Sequence, residues 1–426
     1  MTNQKLKDED LRYIFHPCTQ MKDHERLPLI PIKKAYGVYV EDFDGNVYID
    51  GISSWWVNTL GHSNSYINEK IKEQLDTLEH VLLAGFTHQP AVNLAKKLVE
   101  ITPNGLDKVF FADNGSSGIE VALKMAYHYF SNKGEKRKYF VSLENSYHGE
   151  TIGALSVSDM GLYKDIYNPI LIETLRAKSP KSQTIQGAQI ALEDMEKVLK
   201  TNKENIIAVI VEPLIQCAGL MNMYHSDYLV GLRELCDTYG VFLIADEVAV
   251  GFGRTGKLFA CEWAGITPDF MILSKGLTAG YLPLSVVMLT NKIYDAFYCD
   301  YDPQGVRSFL HSHSYTGNPL SATAALAGIE FLEQEDIIKK NKRSISLIKE
   351  QLKRLEAFDC IDHIRQQGMV SAFDIIGYLP EDRIGVEFYQ LALERGVILR
   401  PLANIIYFMP PYVITQEEII RVFDVI

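Results

Sequence analysis

Short apolar runs that end in polar or charged residues are the feature that most constrains how this chain can fold. Val241–Ala245 ends at Asp246, and Phe270–Leu273 ends at Ser274 and Lys275. Such runs are typical of strands buried on both faces of a parallel sheet. Because the carboxyl ends of parallel strands open into one crevice, Asp246 and Lys275 could face the same bound molecule if the two strands are neighbours. The alternative is an exposed aspartate and an unrelated loop lysine.

The wider pattern predicts an α/β fold. Strand-like and helix-like segments take turns from about residue 108 to about residue 290. This alternation predicts a mainly parallel sheet whose strands are joined by crossovers. The chain has 426 residues, which is enough for a large domain and a smaller one. We predict an N-terminal segment at 1–60 that packs with the small domain, a large domain at 61–330 and a C-terminal small domain at 331–426.

Charge and composition restrict the partners. The net charge of -12 argues against nucleic acid and anionic membrane, because phosphates would be repelled. The polar N-terminus differs from a signal peptide, and no apolar run approaches membrane-spanning length, so a cytoplasmic protein is expected. The six cysteines are scattered without a C-x-x-C pair, which predicts reduced thiols and no metal site.

A strand-to-helix turn is a candidate anion site. A predicted strand at 108–112 runs into Asp113-Asn114-Gly115-Ser116-Ser117-Gly118, and a strongly helical segment follows. The N–H groups and the positive dipole end of such a helix can hold a phosphate without a dedicated cation. The alternative is an ordinary helix cap without a ligand.

Two further predicted strands also end in residues that can bind a ligand. Tyr147 and His148 follow the strand at 139–143, and Glu212 follows the strand at 206–211. An aromatic ring at a strand end can stack on a planar ligand, and a histidine beside it can form a hydrogen bond to that ligand. A Tyr-His pair in a loop can equally be structural.

The tandem tryptophans Trp55 and Trp56 follow a predicted antiparallel unit at 30–52. In an extended backbone, successive side chains point to opposite sides, so the two rings cannot share one core. One of them is therefore expected to line something else, although both could still be core or interface residues.

Six short motifs occur in an order and spacing that are together specific: Gly115-Ser116, Tyr147-His148-Gly149, Val211-Glu212-Pro213, Asp246-Glu247-Val248 with Gly251-Phe-Gly-Arg254-Thr-Gly256, Ser274-Lys275-Gly276 and Thr316-Gly317-Asn318-Pro319. Over essentially the whole chain they resemble the class III, fold type I, pyridoxal-phosphate-dependent aminotransferases. The resemblance implies a large domain with a mainly parallel sheet of the seven-stranded type flanked by helices. It also implies a smaller α+β domain built from both chain ends, and a homodimer whose active site is shared between subunits.

The resemblance also implies roles for individual residues. Lys275 would bind the aldehyde of pyridoxal 5'-phosphate, yield to the substrate amine and then move a proton. Asp246 would pair with the pyridine nitrogen, and Tyr147 would stack on the ring. Phosphate donors would come from Gly115 and Ser116, and from Ser314 of the facing subunit. The implied cofactor site also includes His148, Glu212 and His313.

Within the class, the chain is most similar to the diaminopelargonate aminotransferases of biotin synthesis. The features that carry this similarity are Trp55-Trp56, His16-Pro17-x-Thr19-Gln20-Met21, Arg400-Pro401 and Ile406-Tyr407-Phe408-Met409-Pro410-Pro411. They imply conversion of 8-amino-7-oxononanoate to 7,8-diaminononanoate. Arg400 would bind the carboxylate of the substrate, and the tryptophans would pack against its aliphatic chain. The implied substrate residues are Trp55, Trp56, Tyr147, Lys275, Ser312, Arg400 and Tyr407.

Differences within the class bear on the two substrates. Aminotransferases that use glutamate carry arginine where this chain has Tyr407, so a glutamate donor is not expected. Cys18 replaces a usual aromatic residue, and His313-Ser314-Tyr315 resembles members that take lysine as donor. The intact tryptophan pair favours S-adenosylmethionine, and lysine stays an alternative. Other readings are another class III ω-aminotransferase, an aminomutase, or a non-catalytic regulator that binds the cofactor. The segment at 162–203 is predicted to be a surface insertion with a helix, without an assigned function.

Overall fold

The computed structural model describes residues 2–27, 29–303 and 305–426. By its internal contacts the chain divides into two compact units. The terminal unit comprises 1–65, 341–365 and 369–426, and the central unit comprises 66–340 and 366–368. The sequence-based domain limits, after residues 60 and 330, stay a prediction.

The strands of the described residues are β1 (Ile32–Tyr36), β2 (Tyr39–Asp42), β3 (Val47–Asp50), β4 (Leu106–Ala112), β5 (Tyr139–Leu143), β6 (Leu175–Ala177), β7 (Ile206–Val211), β8 (Ile215–Gln216), β9 (Asn222–Met223), β10 (Phe242–Asp246), β11 (Phe270–Leu273), β12 (Ser285–Thr290), β13 (Ile361–Gln367), β14 (Val370–Ile375), β15 (Val397–Ile398) and β16 (Ile405–Phe408).

The helices of the described residues are α1 (Asn3–Tyr13), α2 (Ser53–Trp56), α3 (Ser65–Leu75), α4 (Gln89–Ile101), α5 (Gly115–Asn132), α6 (Ile152–Val157), α7 (Gly161–Lys164), α8 (Ile185–Asn202), α9 (Asp227–Tyr239), α10 (Asn291–Asp295), α11 (Pro319–Gln334), α12 (Ile337–Leu355), α13 (Ile384–Glu394) and α14 (Gln416–Val425). None of these helices is both long and apolar enough to cross a membrane.

The central unit is built on a seven-stranded sheet with the order β4-β12-β11-β10-β7-β5-β6. Its strands pair in parallel from β11 through β10, β7 and β5 to β6. β12 lies antiparallel to both of its neighbours. The prediction of a mainly parallel seven-stranded sheet is therefore confirmed, with one antiparallel strand inserted next to one edge.

Burial in the central unit explains why the sequences of its inner strands are continuous apolar runs. Every residue of β7, β10 and β11 is buried. Helix α5 packs on the sheet through aromatic contacts, with the ring centroids of Tyr129 and Phe242 4.8 Å apart. Because both faces of these strands are covered, no polar residue alternates along them. The same burial leaves polar side chains only at the strand ends.

The terminal unit joins the two ends of the chain in one sheet, β1-β2-β3-β15. β15 pairs in parallel with β3, with Val397 opposite Ile49. A second sheet has the order β13-β14-β16, and within it Tyr407 lies opposite Ala372. The unit therefore combines strands and helices drawn from both chain ends.

Candidate functional site

Asp246 and Lys275 follow adjacent strands of the central sheet. β10 and β11 are parallel neighbours, and Asp246 itself lies opposite Ile272. Asp246 is buried, and its carboxylate interacts electrostatically with the amine of Lys275. Burial lowers the pKa of Lys275, while the negative charges of Asp246 and Glu212 act in the opposite direction. The condition stated for these two residues, that their strands be neighbours, is thus met.

His148 holds the Asp246 carboxylate from one side. Its Nδ1 atom lies 2.7 Å from Oδ2 of Asp246, while Oδ1 of Asp246 accepts a hydrogen bond from the Val248 N–H at 3.1 Å. The His148 N–H donates to Oγ of Ser158 at 2.8 Å. Both side chains of the His148–Asp246 pair are buried. The carboxylate is therefore fixed in orientation at the end of β10.

Glu212, which follows β7, accepts hydrogen bonds from the backbone of two loops, at Tyr147 and at Cys217. Its Oε1 atom accepts a hydrogen bond from the Tyr147 N–H at 2.9 Å, and its Oε2 atom accepts one from the Cys217 N–H at 3.1 Å. Burial raises the pKa of Glu212 well above its usual value, and the nearby Asp246 charge raises it further. Glu212 therefore positions the backbone of Tyr147 close to Asp246.

Tyr147 is half-buried, and its ring is packed from one side. The ring meets Tyr163 edge to face at a centroid distance of 5.6 Å, and its hydroxyl donates to Oε1 of Glu150 at 2.9 Å. Both contacts hold the ring in one orientation. An ordered aromatic ring at this strand end is what stacking on a planar ligand requires.

The predicted anion site lies at the start of α5. Asn114 caps the helix by accepting the Ser117 N–H at 3.0 Å, so the helix begins at Gly115. The N–H groups of the first helical residues have no partner within the helix and point to its start. Gly149 approaches this point so closely that a Cβ atom there would overlap the Ser116 side chain. The start of α5 and Gly149 together form the predicted anion site, called the phosphate cradle below, and this close approach requires glycine at 149.

Ser312, His313 and Ser314 lie in a turn of the central unit that precedes α11. The His313 N–H donates to Oγ1 of Thr316 at 3.1 Å, which closes the turn. Ser312 and Ser314 are exposed. The hydrogen bonds described for this turn lie within it, and the role of Ser312, His313 and Ser314 stays a prediction.

In the terminal unit, the tandem tryptophans lie in the four-residue segment α2, whose backbone is a left-handed turn. The φ angles of Ser53, Ser54, Trp55 and Trp56 are 51°, 45°, 68° and 74°. The extended backbone assumed from the sequence is therefore wrong. The two rings nevertheless separate, because Trp56 is 4% exposed and Trp55 is 40% exposed.

The remaining substrate candidates surround these tryptophans. Tyr407 meets Trp56 edge to face at a centroid distance of 6.1 Å. The guanidinium carbon of Arg400 lies 4.6 Å from the ring centre of Trp55. Nη2 of Arg400 also donates to the carbonyl oxygen of Cys18 at 3.4 Å. Trp55, Trp56, Arg400 and Tyr407 are therefore one cluster, and Cys18 lies at its edge.

Three supporting residues were missed by the sequence analysis. Ser158 accepts from the His148 backbone, Glu150 from the Tyr147 hydroxyl, and Cys217 donates its N–H to Glu212. Glu150 could have been found, because it directly follows the Tyr-His-Gly motif. Ser158 and Cys217 carry no local signal, since only the folded chain brings them to the site.

The residues of the central cluster fit pyridoxal 5'-phosphate. An aldehyde requires an amine with a depressed pKa, which burial supplies at Lys275. A pyridine nitrogen requires an oriented carboxylate, which His148 and Val248 provide at Asp246. A phosphate requires N–H donors without intrahelical partners, which the start of α5 supplies. All three requirements are met within one unit of the chain.

Comparison with known proteins agrees with this chemistry. The family model of the class-III aminotransferases matches residues 20–426. A protein of Helicobacter pylori named adenosylmethionine-8-amino-7-oxononanoate aminotransferase is 47% identical over 422 residues, which cover 98% of this chain and 95% of that protein. A protein of the same name from Geobacter sulfurreducens is 40% identical, with 98% of this chain and 95% of the relative covered.

Solved structures give the same result. The crystal structure of adenosylmethionine-8-amino-7-oxononanoate aminotransferase from Methanocaldococcus jannaschii has a TM-score of 0.94 at 36% identity, covering 99% of this chain and 97% of that one. An (S)-enantioselective ω-transaminase from Thermomicrobium roseum has a TM-score of 0.94 at 27% identity, with coverages of 100% and 97%. The chain belongs to the class-III aminotransferases and is a pyridoxal-phosphate-dependent enzyme of that family.

Proposed function

We propose that this enzyme transfers an amino group to 8-amino-7-oxononanoate, giving 7,8-diaminononanoate for biotin synthesis, and that S-adenosylmethionine is the amino donor. The observation that carries this proposal is the cluster of Trp55, Trp56, Arg400 and Tyr407 in the terminal unit. The curated relatives at 47% and 40% identity bear the name of this reaction and of this donor, which supports both parts of the proposal.

The chemistry of the cluster matches the amino acceptor. 8-Amino-7-oxononanoate carries a carboxylate at one end of an aliphatic chain and the reacting carbonyl near the other. The Arg400 guanidinium supplies paired donors for a carboxylate, and the exposed face of Trp55 supplies apolar surface for the chain. Tyr407 is buried against Trp56, where glutamate-using relatives are expected to carry an arginine. A glutamate donor is therefore disfavoured.

The cofactor supplies an electron-withdrawing ring that stabilises negative charge developing on the substrate carbon. Asp246, oriented by His148, would pair with the ring nitrogen and hold a proton there, which would maintain that withdrawing character. Lys275 accepts and returns the substrate proton at Nζ, which requires the neutral amine that burial favours. Tyr147, whose backbone N–H donates to Glu212, would stack on the cofactor ring.

Other class III ω-aminotransferases share this fold, since the Thermomicrobium roseum ω-transaminase superimposes with a TM-score of 0.94. The fold alone therefore does not choose the substrate. Steady-state assays with 8-amino-7-oxononanoate and either S-adenosylmethionine or lysine test the proposal. Turnover with S-adenosylmethionine is expected. If neither donor gives turnover, the assignment of 8-amino-7-oxononanoate as the amino acceptor is wrong. If only lysine gives turnover, the amino donor is lysine rather than S-adenosylmethionine.

A single-turnover comparison separates the donor from the acceptor. The visible absorption band that the cofactor shows when it is bound to the enzyme should change on addition of S-adenosylmethionine alone. The matched control is Lys275→Ala, which should lack that band because the amine that binds the aldehyde is gone. A Lys275→Ala variant with an unaltered band and full activity would contradict the assignment of Lys275.

The proposal includes a homodimer in which Ser314 serves the facing site. Large apolar side chains are exposed in the segment that leads to this turn, with Tyr298, Tyr301 and Leu310 at 77%, 92% and 76% exposure. Large apolar side chains exposed close together in the sequence are what a surface covered by another protein requires. A second copy is the occupant that the shared phosphate site requires.

Mixing two inactive variants tests this arrangement directly. Lys275→Ala removes the amine, and Ser314→Glu places a negative charge against the phosphate. In a shared site, a mixed dimer has one site with both native residues, so activity should return when the two variants are unfolded and refolded together. Activity that stays absent in verified mixed dimers, or a fully active monomer by light scattering, would contradict the shared site.

A further inference from the structure

The turn that carries the tandem tryptophans has a conformation that non-glycine residues rarely adopt in succession. Ser53, Ser54, Trp55 and Trp56 all have positive φ, between 45° and 74°. Left-handed conformations of L-residues normally occur singly, because Cβ then approaches the following carbonyl oxygen. Four in a row persist only when surrounding contacts impose them, and such strain is commonly found where a ligand is held.

The carboxylate of Asp50 forms several of the side-chain contacts that hold this conformation. Oδ1 of Asp50 accepts the Ser54 N–H at 2.9 Å and the Ile52 N–H at 3.3 Å. Oδ2 of Asp50 accepts the Ser54 hydroxyl at 2.7 Å and lies 3.0 Å from Nε2 of His62. Asp50 is 2% exposed, so water does not compete for these bonds.

The charge state of Asp50 agrees with this role. Burial by itself raises the pKa of Asp50, but the hydrogen bonds from His62 and Ser54 outweigh burial and lower it. The carboxylate therefore accepts from all of its donors in the ionised form, in which hydrogen bonds are stronger.

Hydrogen bonds at Ser53 hold the start of the turn. The Ser53 hydroxyl donates to the Met409 carbonyl oxygen at 2.8 Å, and the Asn58 N–H donates to the Ser53 carbonyl oxygen at 3.0 Å. The Ser53 hydroxyl bond connects the turn to Met409, the residue directly after β16. The bonds from Asp50 act on its middle, directly before Trp55.

We propose that Asp50 is a positioning residue for the amino acceptor: by holding the left-handed turn, it sets the separation between the exposed Trp55 ring and the buried Trp56 ring. This inference rests on the proposed function, since the tryptophans are assigned there to the aliphatic chain of the substrate. Asp50 itself has no assigned contact with substrate or cofactor. Its effect passes through the backbone of Ser54.

Asp42 offers a matched control in the same sheet. It is also 2% exposed, and it accepts hydrogen bonds from the N–H groups of Asp44 and Asn46 at 3.0 and 2.8 Å. These bonds close the hairpin turn between β2 and β3. Asp42→Ala therefore removes an equally buried carboxylate without touching the tryptophan turn.

The first measurement is tryptophan fluorescence without substrate. The chain has three tryptophans, so Trp263→Phe leaves only Trp55 and Trp56 as emitters. In this background Asp50→Ala should shift the emission to longer wavelength and increase quenching by acrylamide, because the Trp56 ring loses its protection. Asp42→Ala should leave both properties unchanged. Unchanged emission in a folded Asp50→Ala variant would overturn the proposal.

The second measurement separates binding from chemistry. Asp50→Ala should raise KM for 8-amino-7-oxononanoate by about tenfold or more, with a much smaller change in kcat and an unchanged cofactor absorption band. Asp50→Asn keeps an acceptor oxygen for the Ser54 and Ile52 N–H groups, so its KM should be close to that of the unmodified enzyme. Two results would show a merely structural role and overturn the proposal. One is a loss of kcat as large as the change in KM, and the other is the same rise in KM in Asp42→Ala.

The two measurements fail for different reasons. If the unmodified enzyme does not use 8-amino-7-oxononanoate, the proposed function fails, while the fluorescence comparison still tests whether Asp50 holds the turn. If the unmodified enzyme is active but folded Asp50→Ala keeps a native KM, the positioning role fails and the proposed function stands. Should Asp50→Ala not fold, Ser54→Ala replaces it, because that variant removes the hydroxyl that donates to Oδ2 of Asp50. It should raise KM and shift the emission in the same direction relative to Asp42→Ala, and native values for both properties would overturn the proposal.

Discussion

The Nδ1 atom of His148 lies 2.7 Å from Oδ2 of Asp246, and both side chains are buried although 98 residues separate them in the chain. This pair explains how a carboxylate at a strand end can be held in one orientation beside Lys275. The carboxylate has a second fixed contact, the Val248 N–H at 3.1 Å. An Asp246 carboxylate held in one orientation is what the proposed mechanism requires.

Asp246→Asn should lower kcat by about 100-fold or more, because an amide cannot hold a proton on the ring nitrogen. The cofactor should still bind, since the phosphate cradle and Lys275 are unchanged. Steady-state kinetics and the absorption spectrum measure both effects. The control is His148→Gln, which keeps the carboxylate and should cost far less. Near-native kcat in Asp246→Asn would contradict the role of this carboxylate.

Gly149→Ala should weaken cofactor binding by about tenfold or more, because the added methyl group overlaps Ser116 at the phosphate cradle. Gly149 also has a φ of +123°, which side chains rarely adopt. Gly134→Ala is the control, since that glycine has a φ of +76° but open space around a Cβ atom. Titration of the cofactor-free proteins with cofactor compares the affinities. Equal affinities in the two variants would argue against a cradle at Gly149.

Arg400→Ala should raise KM for 8-amino-7-oxononanoate by about 10- to 100-fold, since a charge-assisted pair with the carboxylate is lost. Arg400→Lys should restore only part of the loss, because lysine lacks the planar fork that lies over Trp55. The exposed Arg395, on the same unit, is the control position. A native KM in Arg400→Ala would move the carboxylate site elsewhere.

The buried Glu247 should give the stability a pH dependence. Its carboxyl accepts the N–H groups of Ala260 and Cys261 at 2.9 and 2.8 Å, and burial raises its pKa from 4.5 to about 7. The folded protein therefore retains a proton that the unfolded chain loses. Stability from this group is fully present below pH 4.5 and is lost as the pH rises through 7.

Glu247→Gln should remove this dependence, which amounts to up to about 3 kcal/mol between the two pKa values. Urea unfolding of the cofactor-free proteins at pH 5 and pH 7.5, at one protein concentration, measures the difference. The comparison at pH 5 is the internal control, because in the folded state both side chains are then mostly neutral. Parallel stability profiles for the two proteins would contradict the raised pKa of Glu247.

The large features of the fold could be predicted because burial leaves a direct record in the sequence. β7, β10 and β11 are covered on both faces and read as unbroken apolar runs. β6, with the sequence Leu-Arg-Ala, was missed in a segment expected to be a surface insertion. It is a three-residue edge strand, and its position depends on pairing with β5. A strand of that kind has too few buried positions to leave a pattern.

The tandem tryptophans mark the limit of such prediction. Their identity indicated an apolar wall, and the expectation that one ring leaves the core agrees with the 4% and 40% exposures of Trp56 and Trp55. The backbone that achieves it is a left-handed turn rather than an extended segment. No local pattern predicts that turn, because its hydrogen-bond partners are Asp50, which in turn contacts His62, and the distant Met409 carbonyl.

By itself, the sequence determined the residue types available for the chemistry and the strand ends at which they would lie. Those follow from local patterns, since a buried run and the polar residue that ends it are adjacent in the chain. Only the tertiary structure decided which groups meet, as with the Ser53 hydroxyl and the Met409 carbonyl, 356 residues apart. Hydrogen bonds of that separation depend on the packing of whole elements. The conformation of the Trp55–Trp56 turn therefore belongs to the fold rather than to its own four residues.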